Sequence, residues 1–245
     1  MRLDQLLVEK SLFASRSRAR DAIVRGTVTV DSKVVTKPGA TFPDTAVISV
    51  DDPASNYVSR AALKLIAGLD HFSIDPNGVS ALDIGASTGG FTQVLLERGA
   101  THVTAVDVGH DQLHDSLGSD PRVTNLEGLN ARELSRDHLD GRKIGLVVSD
   151  VSFISLKLAL PPALDMAEPG SHCVLLVKPQ FEAGREAIGK GGILRNPMDG
   201  ERVANVLRNW LDGLPGWKAL GLCPSPIEGG DGNREYLLAG LKRKD

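Results

Sequence analysis

Residues 80–100 read SALDIGASTGGFTQVLLERGA. The run from Ser80 to Ile84 has the length and apolar content of a buried strand. It carries an acid, Asp83, and passes into a glycine-rich turn, after which FTQVLLERG has the apolar spacing of an amphipathic helix. A strand, a glycine turn and a helix in that order open a parallel α/β sheet, whose ligands bind beyond the carboxyl ends of its strands. Gly85, Gly89 and Gly90 lack the β-carbons that would keep a ligand off the backbone, and the helix start offers free N–H groups.

The segments around this unit alternate in the same way. SALDI, HVTAVD, GLVVSD, SHCVLLVK, KALGL and REYLLAG read as strands, and FTQVLLERG, ISLKLALPPALDM and GERVANVLRNWLDGL as helices. Alternation of this kind predicts a doubly wound, mainly parallel, Rossmann-like sheet. The one long connection without a pattern is PQFEAGREAIGKGGILRNP, residues 179–197, and loops of that size are usually functional or mobile.

The N-terminus reads differently. Leu3, Leu6 and Leu7 share one face of a short helix, Ser15 is placed to cap a second with Ala19, Ala22 and Ile23 inward, and Gly26 stops it. TVTVDSKVV follows as a hairpin turning at Asp31-Ser32, and AVISV closes a small α+β unit. The expected division is 1–52 for this unit, a polar linker over 53–58, and 59–245 for the α/β domain.

The chain of 245 residues is 41% hydrophobic and 24% charged, with a net charge of -3. That balance disguises an asymmetry. From Lys10 to Lys37 seven basic residues stand against two acids, so a basic module precedes a more acidic body. Arg16, Arg18, Arg20 and Arg25 are candidates to lie along phosphates. No apolar run approaches the roughly 20 residues of a membrane span, and charges in MRLDQLLVEK replace the apolar core of a signal peptide, so a cytoplasmic chain without membrane contact is expected. Cys173 and Cys223 are expected as buried free thiols. His110 and His114 have the i, i+4 spacing of zinc ligands without a third ligand, so no metal is expected.

Asp107 closes the second strand 22 residues after Gly85, where an acid can hold the two hydroxyls of a ribose. Dinucleotides and S-adenosylmethionine both fit such a site. A dinucleotide would favour G-x-G-x-x-G and a pyrophosphate at the helix start, yet Ser87 takes the second glycine position and Asp83 precedes the turn. Negative charge suits the sulfonium and ammonium of S-adenosylmethionine better. At other strand ends stand Asp150 (LVVSDVSF), Lys178 (VLLVKPQFE) and Glu235 (NREYLL), while Lys64 (SRAALKL) lies in a helix before the first strand. Two lysines and two carboxylates are therefore expected to meet beside the cofactor pocket.

RLDQLL, SRSRARDAI and RGTVTVDSKVV resemble the alpha-L RNA-binding domain of a ribosomal small-subunit protein, pseudouridine synthases and tyrosyl-tRNA synthetases. SRAALKL, LDIGASTGGF, VVSD, LLVKPQF and NREYLL resemble the Lys-Asp-Lys-Glu pattern of FtsJ/RrmJ-type RNA ribose 2'-O-methyltransferases. From end to end the chain is similar to the TlyA, or hemolysin A, family of ribosomal RNA cytidine 2'-O-methyltransferases. The resemblance implies a class I methyltransferase sheet, S-adenosylmethionine as cofactor, and ribosomal RNA in ribosomal subunits as partner, with no obligate protein partner evident. It implies a catalytic tetrad of Lys64, Asp150, Lys178 and Glu235. Gly85, Ser87, Gly89 and Phe91 would line the methionine side, Asp107 the ribose and Asn130, where relatives often have an acid, the adenine. Arg60, Arg185 and Lys190 join the RNA-contact candidates, and Glu182 and Arg195 of the long loop are further ones.

A ribose 2'-hydroxyl is a weak nucleophile, so methyl transfer to it needs in-line placement and a route for its proton. Lys178 is the candidate, either removing that proton or only steering the hydroxyl. Three rivals remain at this level: a cytolysin, a non-catalytic ribosome assembly factor on a methyltransferase fold, and a nicotinamide oxidoreductase.

Overall fold

The Ser15 side chain accepts a hydrogen bond from the Arg18 backbone N–H and so starts α2 (Arg16–Val24), which packs on α1 (Leu3–Glu9). Leu3 and Leu7 meet Ala19, Ala22 and Ile23 in a small core completed by Phe13, Val28 and Val30. Gly26, at φ +76°, ends α2 in the left-handed conformation that glycine adopts at least cost. Strands β1 (Val28–Val30) and β2 (Lys33–Val34) turn at Asp31-Ser32, with φ of 47° and 64°, the paired left-handed residues of a two-residue hairpin. The strand β3 (Ile48–Val50) adds to the other side of β1. This computed structural model describes residues 1–230 and 232–244 and separates into two units, Met1–Asn56 and a second beginning at Tyr57.

The second unit runs α3 (Ala62–Phe72), β4 (Ser80–Ile84), α4 (Gly90–Glu97), β5 (His102–Val106), α5 (Asp115–Gly118), β6 (Val123–Leu126) and β7 (Ile144–Ser149). It continues through α6 (Leu156–Ala159), α7 (Pro161–Met166), β8 (Ala167–Val177), α8 (Asp199–Asp212), β9 (Trp217–Pro224) and β10 (Tyr236–Lys242). Seven strands form one sheet in the order β6-β5-β4-β7-β8-β10-β9. β4 through β8 pair in parallel, and β10 runs antiparallel to both its neighbours. Alternate residues face opposite layers: Leu82 and Ile84 pack with α6, α7 and α8, while Ala81 packs with α3 and α4. The doubly wound α/β expectation holds.

Four details differ from the sequence reading. Strand β6 was not expected, because a short edge strand, VTNL, has little of the apolar run that marks its buried neighbours. The helix expected over 154–166 is two, since Pro161 and Pro162 supply no N–H to continue α6. β8 starts at Ala167 and bulges, with Ile144 opposite Ala167 but Leu146 opposite His172. The 179–197 connection is ordered by 3-10 turns and by a small hairpin, in which Arg195 N–H donates to Ala187 O at 2.9 Å and Gly189 N–H to Ile193 O at 2.7 Å. Both cysteines are free and buried.

Candidate active site

Because β10 runs antiparallel, its first residue lies at the edge where the parallel strands end: Tyr236 is opposite Val177. This topology brings Glu235 to the same edge as Gly85, Asp107, Asp150 and Lys178. Lys64 reaches it from α3, its Nζ 2.6 Å from Glu235 Oε2, with both residues nearly sealed from solvent. Lys178 Nζ lies 2.5 Å from Asp150 Oδ1 and donates to Ser152 Oγ at 2.7 Å. The four expected residues thus form two ion pairs, one buried and one partly exposed. Ser152, absent from the sequence reading, is a second partner of Lys178. Its only signal was its place in SDVSF beside Asp150.

Two adjoining cavities open here and share Gly85, Ser87, Asp150 and Ser152. The smaller, about 160 Å³, is bordered by Ser59, Phe91 and Lys178. The larger, about 460 Å³, is bordered by Asp107, Gln112, Asn130 and the apolar Val108, Leu129, Val151 and Phe153. A β-carbon at Gly85 (φ +83°) would stand 3.1 Å from the Asp150 carbonyl, so that turn needs glycine for conformation and for closeness. Ser87 also has a left-handed φ of 47°, and its N–H donates to Asp107 Oδ2 at 2.8 Å. Asp107 Oδ1 accepts from Gly109 N–H at 2.8 Å. Each Asp107 oxygen keeps a lone pair for a further donor. Asn130 Oδ1 accepts the Arg132 N–H at 3.1 Å, capping a short turn at the far wall.

Glu127 was also missed. Its carboxylate accepts backbone N–H bonds from Leu113, Gln112 and Asp111, which hold it down to about 2. It braces the loop that presents Gln112 to the cavity, a cross-strand role that nothing in NLEGLNAR announces. A further groove of about 640 Å³ lies between α8 and the β9–β10 connection, with Glu235 on its wall. It has charges of both signs and neither the glycine turn nor Asp107, so its size does not make it the ligand site.

Several expected residues are elsewhere. Asp83 borders neither cavity: alternation along β4 turns it into the α4 layer, fully buried, where Thr92 Oγ1 donates to Oδ2 at 2.7 Å and Oδ1 has no partner. Burial pushes its carboxyl up to about 7; the Thr92 bond opposes this, and Asp150 and Asp107 add to it. Gly89 is not at the cavity either, since a β-carbon there would collide with Leu113 and Leu117, which makes it a packing glycine. Arg25 is no free phosphate ligand, for its mostly buried guanidinium pairs with Asp52 at 2.8 Å. Glu182 accepts from Ser155 Oγ at 2.6 Å and Leu156 N–H at 2.7 Å, anchoring the start of α6 rather than facing solvent. Arg16 pairs with Asp4 at 3.1 Å but stays half-exposed, Arg18 reaches Ala54 O, and Arg20, Arg185, Lys190 and Arg195 are exposed. Arg60 is half-buried, with its guanidinium near Gly230. His114 Nδ1 accepts from the Ser116 N–H and caps α5.

The raised Asp83 sets a sign for stability. An acid lifted from about 4 to about 7 on folding keeps more protons in the native state over that window, so ligand-free stability falls as pH rises through it. Asp83→Asn should lose this decline. At pH 8 it should exceed the parent by on the order of 2 to 4 kcal/mol in urea unfolding, and at pH 4 the two should match.

The sequence profile of the FtsJ-like methyltransferases matches residues 57–242, and that of the S4 domain residues 1–47. The chain belongs to the FtsJ-like methyltransferase family. This FtsJ-like chain is 44% identical over 238 residues, 97% of its length and 88% of the relative's, to the 16S/23S rRNA (cytidine-2'-O)-methyltransferase TlyA of Mycobacterium tuberculosis. It is 40% identical to a protein of Brachyspira hyodysenteriae named Hemolysin A, over 97% of this chain and 98% of that one. A solved structure of a putative hemolysin from Streptococcus thermophilus aligns with a TM-score of 0.76 and 38% identity, covering all of this chain and 89% of the other. The S4 match lies on the N-terminal basic unit and the FtsJ-like match on the sheet that carries both ion pairs.

Proposed function

We propose that the chain is an S-adenosylmethionine-dependent 2'-O-methyltransferase of ribosomal RNA, with cytidine as its nucleoside, working in the cytoplasm on ribosomal subunits. The observation that carries this reading is the Lys178–Asp150 ion pair on the wall of the cavity that adjoins Gly85 and Ser87, with the buried Lys64–Glu235 pair at the same sheet edge. The residues present fit the cofactor. Asp107 offers acceptors for two ribose hydroxyls, and apolar Val108, Leu129 and Val151 suit an adenine ring. The acids Asp107 and Asp150, with Asp83 buried behind the turn, favour a cation and disfavour a pyrophosphate. When bound, S-adenosylmethionine supplies the electrophilic methyl group.

The chain's own side chains do the positioning. Asp150 and Ser152 hold the Lys178 ammonium, which has three N–H donors. The third donor is free to take the 2'-hydroxyl oxygen and turn a lone pair toward the methyl group, and the hydroxyl proton passes to solvent as the new bond forms. The buried Lys64–Glu235 pair ties α3 to the start of β10 at the same sheet edge. The decisive experiment incubates labelled S-adenosylmethionine with separated ribosomal subunits and maps the product by ribose-methylation-sensitive sequencing. Label on a base instead of a ribose, or none at all, would overturn the reading. Lysis of red cells without cofactor would support the cytolysin instead.

The S4 unit is the proposed RNA anchor. Arg16, Arg18 and Arg20 lie on one helix, and neutralising all three should lower the salt slope of subunit binding by up to about three counterions with cofactor affinity intact. Arg25→Ala should act differently, destabilising the unit by leaving Asp52 buried and unpaired.

A further inference from the structure

The segment that delivers Glu235 also holds the long loop. Asn233 is only 3% exposed, and its amide uses both ends: Oδ1 accepts the Leu194 N–H at 3.2 Å, and Nδ2 donates to Gly192 O at 2.9 Å. Its carbonyl accepts the Gly229 N–H at 2.9 Å. Gly229 in turn lies against Glu235, for a β-carbon on it would come within 2.7 Å of Glu235 Oε1. The Leu194 and Gly192 contacts fall on the hairpin of residues 187–195, whose tip carries Lys190 and two glycines at φ 75° and 79°. Those glycines have little conformational preference of their own, so contacts from outside add to the order that the hairpin's two backbone bonds supply.

We propose that Asn233 is a positioning residue, a latch that fastens the 187–195 hairpin to the strand start bearing Glu235 and thereby keeps the Lys64–Glu235 pair in register with Lys178. This rests on the proposed ribose methyltransferase reading of that site. The loop leaves the sheet at Lys178 and is tied by the Asn233 amide two residues before Glu235, so one side chain links the hairpin to the segment that carries the acid of the buried pair. A buried Asn with both ends satisfied specifies one arrangement. Loss of either bond leaves a buried polar group without a partner.

The test uses the full chain with Asn233→Ala and Asn233→Asp. Hydrogen exchange of the free protein should show protection of residues 187–195 falling at least tenfold in Asn233→Ala. Asn233→Asp keeps an acceptor for Leu194 but sets an oxygen against Gly192 O, and should give an intermediate loss. Single-turnover methylation at saturating RNA should fall about tenfold or more in Asn233→Ala, with cofactor affinity unchanged. Unchanged protection in Asn233→Ala would overturn the latch, as would lost protection with a parental saturated rate. A parent that transfers no methyl group to ribose would sink the reading of the site itself, and the latch's role in it.

Discussion

Replacing Lys178 by alanine is expected to slow single-turnover ribose methylation by roughly 100-fold or more, with little change in cofactor or RNA affinity. The magnitude follows from its position. Lys178 stands just past the end of β8, its ammonium held by Asp150 and Ser152, so alanine removes a cationic donor that borders the smaller cavity and leaves Asp150 without its counter-charge. Lys178→Arg should fail as well. A guanidinium is a planar fork, and a site built around a compact ammonium between Asp150 and Ser152 does not accommodate its width. Measured at saturating cofactor and subunits, an active arginine variant would show that a cationic donor of any shape steers the hydroxyl at this position. An active alanine variant would remove the main support for ribose chemistry.

Lys64→Met is expected to produce the largest loss of stability, about 3 to 5 kcal/mol, because it leaves the Glu235 carboxylate buried with its counter-charge gone. For a domain of this size that corresponds to a melting temperature lower by on the order of 10 °C. Adding Glu235→Leu should restore much of the loss, since a buried ion pair replaced by apolar groups of similar volume is often no less stable. Methylation should stay abolished in the repaired double variant. That separation of stability from activity is the informative result. Parental activity in the double variant would reduce the pair to scaffolding, and an undisturbed melting temperature in Lys64→Met would mean that the pair is solvated in solution.

Much of this site was legible because the chemistry lies at the ends of strongly patterned strands. SALDIG, GLVVSD and SHCVLLVK announce buried parallel strands, and in such a sheet Gly85, Asp150 and Lys178 must emerge at one edge. Asp107 follows from the same rule. Ser15 and the Asp31-Ser32 turn were readable because capping and hairpin chemistry act over two or three residues.

What escaped depends on which way a side chain faces and on what lies across from it in space. The acid in LDIG suggests a ligand, but the pleat of β4 directs Asp83 under α4, and only the placement of Thr92 reveals that burial. Four lysines and carboxylates could be gathered from the sequence, yet their division into Lys64–Glu235 and Lys178–Asp150 required the antiparallel course of β10. Arg25 looks like its neighbours until Asp52, 27 residues away, takes its guanidinium. Local pattern thus settled the strands, the glycine turn and the edge where the site lies. Pairings across tens of residues depend on long-range packing, and only the folded chain decided which charge meets which.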